Sequence, residues 1–358
     1  MNNPFKTFCN ERLKSNMLIH LRSIPIKRLM VSLVVVYLIG LNGCKDSDSA
    51  QGNLNVTIDV EDLITDGISS GSDTGEIQDG WTVNFDQYLI HLNDLNLTHT
   101  QTGAHHHEDQ SYVVDLKRVQ SGSFLWAIQG LEEGRWDFNY TTSPTTNSSS
   151  RHESVSEEQF EAMKDGQFTY WMKGTLSKED GESCPPDALR EDPGAGDSGE
   201  ESCFANTEIR FSFPMQVESV YGPCEVDGLT GVAIVDRVTQ SAAISIHGDH
   251  FLFNGFPEGS EGGISRLAQW LADCDLNGDG EVTQAELERI KPQDLVEFDE
   301  RFQLGGSPIT PIDSIWTYIK AQLMTQGHFQ GEGECPINGQ VHDHGHDDHD
   351  DHDDHDDH

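Results

Sequence analysis

The stretch Trp81-Thr-Val-Asn-Phe-Asp-Gln-Tyr-Leu-Ile-His-Leu92 decides the fold class. It is rich in β-branched and aromatic residues and contains neither glycine nor proline. Two-residue alternation puts Val83, Phe85 and Gln87 on one face of a strand. Working outward, similar short runs occur at 53–60, 112–116, 124–128, 135–140, 168–176, 209–217, 231–235 and 243–253. Each is bounded by Gly, Pro, Asn, Asp or Ser. Helical period is nearly absent up to residue 255, except at 156–164, where Ser156 and Gln159 have the spacing of a capping box. Many strands without strand–helix alternation predict a mainly β fold, a β-sandwich over residues 53–255. Two polar stretches interrupt it, 141–151 and the acidic 177–202, and both are expected to be mobile, the second disordered.

Within these strands, Gly130-Leu-Glu-Glu-Gly-Arg-Trp-Asp-Phe138 resembles the turn-into-strand motif of immunoglobulin-like and transthyretin-like bacterial domains. The resemblance implies an immunoglobulin-like or transthyretin-like sandwich. The same residues read equally well as a glycine-bounded hairpin arm.

The chain has 358 residues, room for two or three domains or one large one. Lys and Arg number 22 against 62 Asp and Glu, a formal net charge of −40. So acidic a surface repels phosphate backbones, which excludes nucleic acid as a partner, and it attracts divalent cations. Hydrophobic residues make up 35% of the chain, below the ~45–50% of a typical globular domain. Acidic segments are therefore expected to stay outside the core. Only one long apolar run exists, which excludes a multi-span membrane protein.

That run, 29–41, follows Lys27-Arg28 and ends in Leu41-Asn42-Gly43-Cys44. A basic flank, a short apolar stretch and small residues describe a secretory signal over residues 1–43. The first 16 residues are superfluous to such a signal, so Met17 competes with Met1 as the start. Leu-x-Gly-Cys resembles the lipobox of bacterial lipoproteins. The resemblance implies that Cys44 carries lipid and that the membrane is met through this anchor only. Residues 44–52 then form the lipidated cysteine and a polar tether. Lys45 after the lipidated position favours the outer membrane or cell surface over the inner membrane, by the sorting rule of enteric lipoproteins.

Export to an oxidising compartment favours disulfides. Cys184 and Cys203 flank one acidic loop, so Cys184–Cys203 is the first candidate pair. Cys224 and Cys335 sit in similar turn-like settings and form the second, Cys224–Cys335, with Cys274 left as a buried thiol. The sequence leaves this connectivity open.

Residues 256–330 read as a helical segment. In it, Asp275-Leu-Asn-Gly-Asp-Gly-Glu-Val-Thr-Gln-Ala-Glu286 carries oxygen donors at Asp275, Asn277, Asp279, Glu281, Thr283 and Glu286. Gly280 stands where a left-handed backbone makes the sharp turn. Ca²⁺ wants six to eight oxygens, and this set supplies about seven. Helical period at 264–274 and an outgoing helix from Ala285 flank it, and a further amphipathic helix is expected at 312–324. The loop and its flanks, about 264–291, resemble the EF-hand family, which implies calcium as the ligand. No second loop of this kind occurs.

The final segment, 331–358, has the composition of a disordered tail. It carries His342, His344, His346, His349, His352, His355 and His358 among repeated aspartates. Imidazole suits Zn²⁺, Cu²⁺ and Ni²⁺. Such tracts resemble the His-rich segments of bacterial zinc- and nickel-handling proteins. His105, His106, His107, His247 and His250 are further candidates for a folded transition-metal site. The first three lie in an expected hairpin loop. His247 and His250 lie three apart along an expected strand, so they point to opposite faces unless Gly248-Asp249 turns the chain.

Enzyme signatures fail on context. Gly67-Ile-Ser-Ser-Gly71 has no helix to follow it, and Gly194-Ala-Gly-Asp-Ser-Gly199 has no strand before it. The expectation is a non-catalytic, calcium-binding, exported lipoprotein that captures or buffers a Zn-like metal at the cell envelope. The alternative is a calcium-stabilised surface or adhesion module that binds a macromolecule, its protein partner unspecified, with the tail incidental.

Overall fold

The protein is described by a computed structural model that covers residues 50–191, 203–256, 263–295 and 301–337. The signal segment, Cys44 and all seven tail histidines lie outside these residues.

The fold is mainly β. Its axis is the strand Thr82–His99, 18 residues long. Its first half pairs with Tyr170–Ser177 and its second half with Gly134–Thr142, all antiparallel. A register shift between Phe85 and Gln87 inserts Asp86 as an extra residue. That bulge changes the alternation. Val83 and Phe85 face the main core before it, and Tyr88, Ile90 and Leu92 do so after it. Gln87 therefore leaves the Val83–Phe85 face. It turns instead to the helix Glu157–Gly166, where Gln159 Nε2 donates to its side-chain oxygen at 2.9 Å. Leu89 packs on that side with Val113, Val155, Phe160 and Met163 as a second small core. The helix begins at Ser156 with the full capping box.

The larger sheet has ten strands; a smaller one has four and places Gln51–Val60 between Ser123–Glu132 and Thr239–Ile246. One continuous apolar core takes Leu54, Val56 and Ile58 from the smaller sheet and Phe85, Phe138 and Phe213 from the larger. Gly130–Phe138 is not a hairpin arm within one sheet. Ser123–Glu132 belongs to the smaller sheet and Gly134–Thr142 to the larger, so the chain crosses between sheets there. Gly134 makes the corner, with φ at 141° and a Cβ position only 2.3 Å from His99 Nε2.

The loop expected to be mobile at 141–151 is pinned, with Thr145 donating to Phe168 O through both N–H (3.1 Å) and Oγ1–H (2.6 Å). Residues 177–191 of the acidic stretch are likewise placed, including the strand Glu182–Ser183. Its remainder, 192–202, lies outside the described residues. The segment after 255 is not a separate helical domain. Residues 281–282 pair with Arg210–Phe211 of the large sheet, and Gly327–Phe329 pairs with Ile244–Ile246 of the small one. The helix expected at 264–274 is reduced to Gln269–Ala272. The helix Ile315–Leu323 is buried on nearly all sides rather than amphipathic. The final segment is integrated through residue 337 by bridges from Glu225 to Glu334 and from Tyr221 to Ile337. Among the described residues, no helix is long and apolar enough to cross a membrane.

Candidate metal centres

The loop 275–286, the candidate for calcium, follows the short helix Gln269–Ala272 and ends in another, Gln284–Arg289. Gly280 has φ at 75°, the left-handed turn that its place in the loop requires. Around it the side-chain oxygens are drawn inward by backbone N–H groups. Asp275 Oδ1 accepts from Gly278 and Asp279, and its Oδ2 accepts from Gly280 at 2.9 Å and from Asn206 Nδ2 at 2.8 Å. Asn277 Oδ1 accepts from Asp279 N–H, and Asp279 Oδ1 from Glu281 N–H, each at 2.9 Å. Glu286 spans the loop. Its Oε1 accepts from Leu276 N–H at 3.0 Å and its Oε2 from Thr283 N–H and Oγ1–H, closing a capping box on the outgoing helix. Glu281 is half-buried and sits in the short pairing with Arg210.

Asp275 and Glu286 are both buried, and burial pushes both carboxyls above their usual range, each partly offset by the N–H donors just named. Each carboxylate oxygen of Asp275, Asp279 and Glu286 is met by an N–H or O–H, whereas Glu281 has Arg210 3.9 Å away. A hard cation would exchange these donors for direct ligation and offset the cost of burying two carboxylates. The donor set therefore suits calcium. The loop is also anchored from outside. Cys184 and Cys203 are joined by a disulfide, and Cys184 N–H donates to Asp273 Oδ1 at 2.7 Å. The acidic group formed by Glu182, Cys184 and Cys203 offers no thiolate, since both sulfurs are bonded to each other. Cys274, just before the loop, is a buried thiol donating to Trp270 O at 3.2 Å.

The histidine candidates divide. His105, His106 and His107 form an edge strand, His105–Glu108, rather than a hairpin loop. Alternation sends His106 to Glu108 Oε1 at 2.9 Å and His107 to Asn96 and Asp109, at 2.9 and 2.8 Å. His105 lies 3.4 Å from Thr98 Oγ1. These three do not converge.

His247 and His250 do. The strand expected at 243–253 ends at Ile246; Gly248-Asp249 turns, and His250–Leu252 is a 3-10 turn. The turn is possible because Gly248 lies against Ile64 and Tyr88, where a Cβ would stand 2.5 Å from Ile64. Both rings meet His328, whose role the sequence reading missed. A ring nitrogen of each lies within 4.8 Å of one from each of the others. His328 stacks on His247 with ring centres 3.8 Å apart and meets His250 edge-on at 5.5 Å. The three are only 9%, 4% and 9% exposed for His247, His250 and His328. Nothing near His328 in the sequence marks it, because it joins the other two only through the pairing of Gly327–Phe329 with Ile244–Ile246.

Glu61 borders this cluster, its Oε1 3.4 Å from His247 Nδ1. Burial pushes its carboxyl up to about 8, with the charges of Asp249 and Glu332 adding to the shift. Asp249 is buried and paired with Arg266.

No family model, no curated protein and no solved structure matches this chain.

Proposed function

We propose that the chain is a non-catalytic, exported lipoprotein, held to the membrane through lipid on Cys44. It binds Ca²⁺ at 275–286 and captures or buffers a divalent transition metal at the cell envelope. Zn²⁺ is the first choice, with Cu²⁺ and Ni²⁺ as the other ions its imidazoles suit. The observation that carries the transition-metal half is the distribution of imidazole. His247, His250 and His328 gather inside the fold, and His342, His344, His346, His349, His352, His355 and His358 follow in the last stretch of the sequence. Calcium fits the oxygen loop, where it would hold Asp275 and Glu286 and brace the junction of helix and sheet.

Zinc titration of the mature protein, with and without residues 342–358, tests the capture role. Submicromolar binding sites that disappear with the tail support it; no tight binding in either form removes it and favours the adhesion alternative. For calcium, a lone loop of this type is expected to bind in the ~10⁻⁴–10⁻³ M range. Saturation about 100-fold above that stabilises by roughly 2.7 kcal/mol, a rise in melting temperature of about 5–10 °C at ~2–4 °C per kcal/mol. Glu286→Gln should abolish the rise; an unchanged rise removes the loop assignment.

A further inference from the structure

We propose that His247, His250, His328 and the Glu61 carboxylate form a buried four-coordinate site for a divalent transition metal of the borderline class, with Zn²⁺ as its occupant. This deepens the metal-handling reading and rests on it, but it does not depend on the tail.

The hydrogen bonds around the rings hold two of them ready to ligate. Thr325 Oγ1–H donates to Gln322 O at 2.8 Å, so its hydroxyl oxygen is left to accept from His250 Nδ1, 2.8 Å away. The hydrogen of the neutral His250 ring is thereby fixed on Nδ1, which makes Nε2 the nitrogen that carries no hydrogen. Gly331 O can only accept, so the neutral His247 ring carries its hydrogen on Nε2, 3.3 Å from that carbonyl. Its Nδ1 then presents a lone pair toward Glu61 Oε1, 3.4 Å away. Orientation of ligand rings by a carbonyl or hydroxyl on the far nitrogen is what metal sites use to set tautomer and direction.

A lone pair facing an ionised carboxylate is repulsive, and either a proton or a metal ion between the two relieves it. Glu61 strengthens that demand, since its Oε2 is buried without a hydrogen-bond partner among the described residues. A proton shared between His247 and Glu61 would answer this one contact only. A metal ion would answer it and also take up His250 and His328. Ligand nitrogens around zinc stand about 3.3 Å apart, given bonds of ~2.0–2.1 Å. The three rings offer nitrogens within 4.8 Å, and they close to that spacing when the stacked His247 and His328 rings turn out of their parallel arrangement to aim both lone pairs at one ion. Imidazole nitrogens disfavour calcium, a hard cation, and three of them with one carboxylate match the donor set of tetrahedral zinc.

The surroundings are built for close approach. Gly248 packs on Ile64 and Tyr88, and Gly327, next to His328, packs on Tyr221 and Tyr140, where a Cβ would stand 2.5 Å from the Tyr221 ring. Glu332 is exposed and lies at the rim, where Glu61, His247 and Glu332 bring ligand atoms within the same 4.8 Å spacing.

The test uses full-length chains titrated with Zn²⁺ alone. A variant with all seven tail histidines changed to Asn is expected to retain one tight zinc per chain and a zinc-dependent rise in melting temperature. Adding His250→Asn and His328→Asn should remove both. A tail variant that binds no zinc, or a combined variant that keeps the site, overturns the proposal. Glu61→Gln in the tail-variant background should weaken binding by at least the roughly 10–100-fold that outer-shell changes cost; unchanged affinity removes Glu61 from the ligand set. Should the combined variant fail to fold, zinc-soaked crystals of the unsubstituted protein decide. An anomalous peak bonded to the three rings at about 2.0–2.1 Å supports the site, and no peak there overturns it. If the tail variant and the unsubstituted protein bind equal zinc, the tail's role in capture fails while this site stands.

Discussion

Every side-chain oxygen of the candidate calcium loop lies within residues 275–286, whereas the imidazole cluster takes His247 and His250 from the turn that follows one strand and His328 from another strand. The placing of the loop's oxygens follows from local backbone geometry, with Gly280 supplying one left-handed residue and Thr283 starting the outgoing helix. The cluster exists only once Ile244–Ile246 and Gly327–Phe329 pair. Each centre also has its own cross-link. Cys184–Cys203 lies beside the loop, and Cys224–Cys335 ties down the segment just after His328. A locally encoded site and an assembled site should therefore fail under different insults.

The largest expected effect is loss of the long cross-link. Cys224–Cys335 spans a sequence separation of 111, so Cys224→Ser with Cys335→Ser should cost ~4–5 kcal/mol by loop-closure entropy. Denaturant unfolding measures the cost, and zinc titration should show weakened binding at the cluster with calcium binding spared. Equal damage to both centres would erase the distinction. Breaking Cys184–Cys203, with a separation of 19, should cost less, ~3 kcal/mol. Here calcium affinity, followed by calorimetry, should suffer while the cluster's zinc binding holds.

Single residues sharpen the comparison further. Gly248→Ala places a methyl against Ile64 and should cost about 1–3 kcal/mol by overpacking. It displaces His247 and His250 and should lower zinc affinity alone. Gly280→Ala forces a side chain into φ 75°, beside Glu208 O at 3.2 Å, and should cost about 1–2 kcal/mol. Its effect on metal binding should appear in calcium alone.

The smallest effect concerns a histidine that belongs to neither centre. His91 is buried, with Nδ1 donating to Ser143 O at 2.8 Å and Nε2 accepting from Ser149 Oγ at 2.9 Å. Burial holds its pKa below the ordinary 6.5. The folded state thus resists protonating it, so its contribution to stability is present above the ordinary value and is lost as pH falls through the lower folded one. His91→Asn should flatten the fall in stability between neutral pH and pH 5, by under about 1 kcal/mol after allowing for lost packing. Zinc stoichiometry should not change. A loss of zinc on this substitution would place the metal elsewhere in the fold.

The strand character of 81–92, the capping box at Ser156 and the left-handed turn at Gly280 were legible because each depends on residues a few positions apart. Period, cap and turn are local physics, and local physics is written in order along the chain. Tertiary structure alone decided that Asp86 bulges and swings Gln87 toward a helix, that Gly134 carries the chain between sheets, and that the segment after 255 is woven into both sheets. It alone brought His328 to His247 and His250 and set Glu61 beside them. Those pairings depend on which strands become neighbours, a choice made by burying one shared core rather than by any spacing in the sequence.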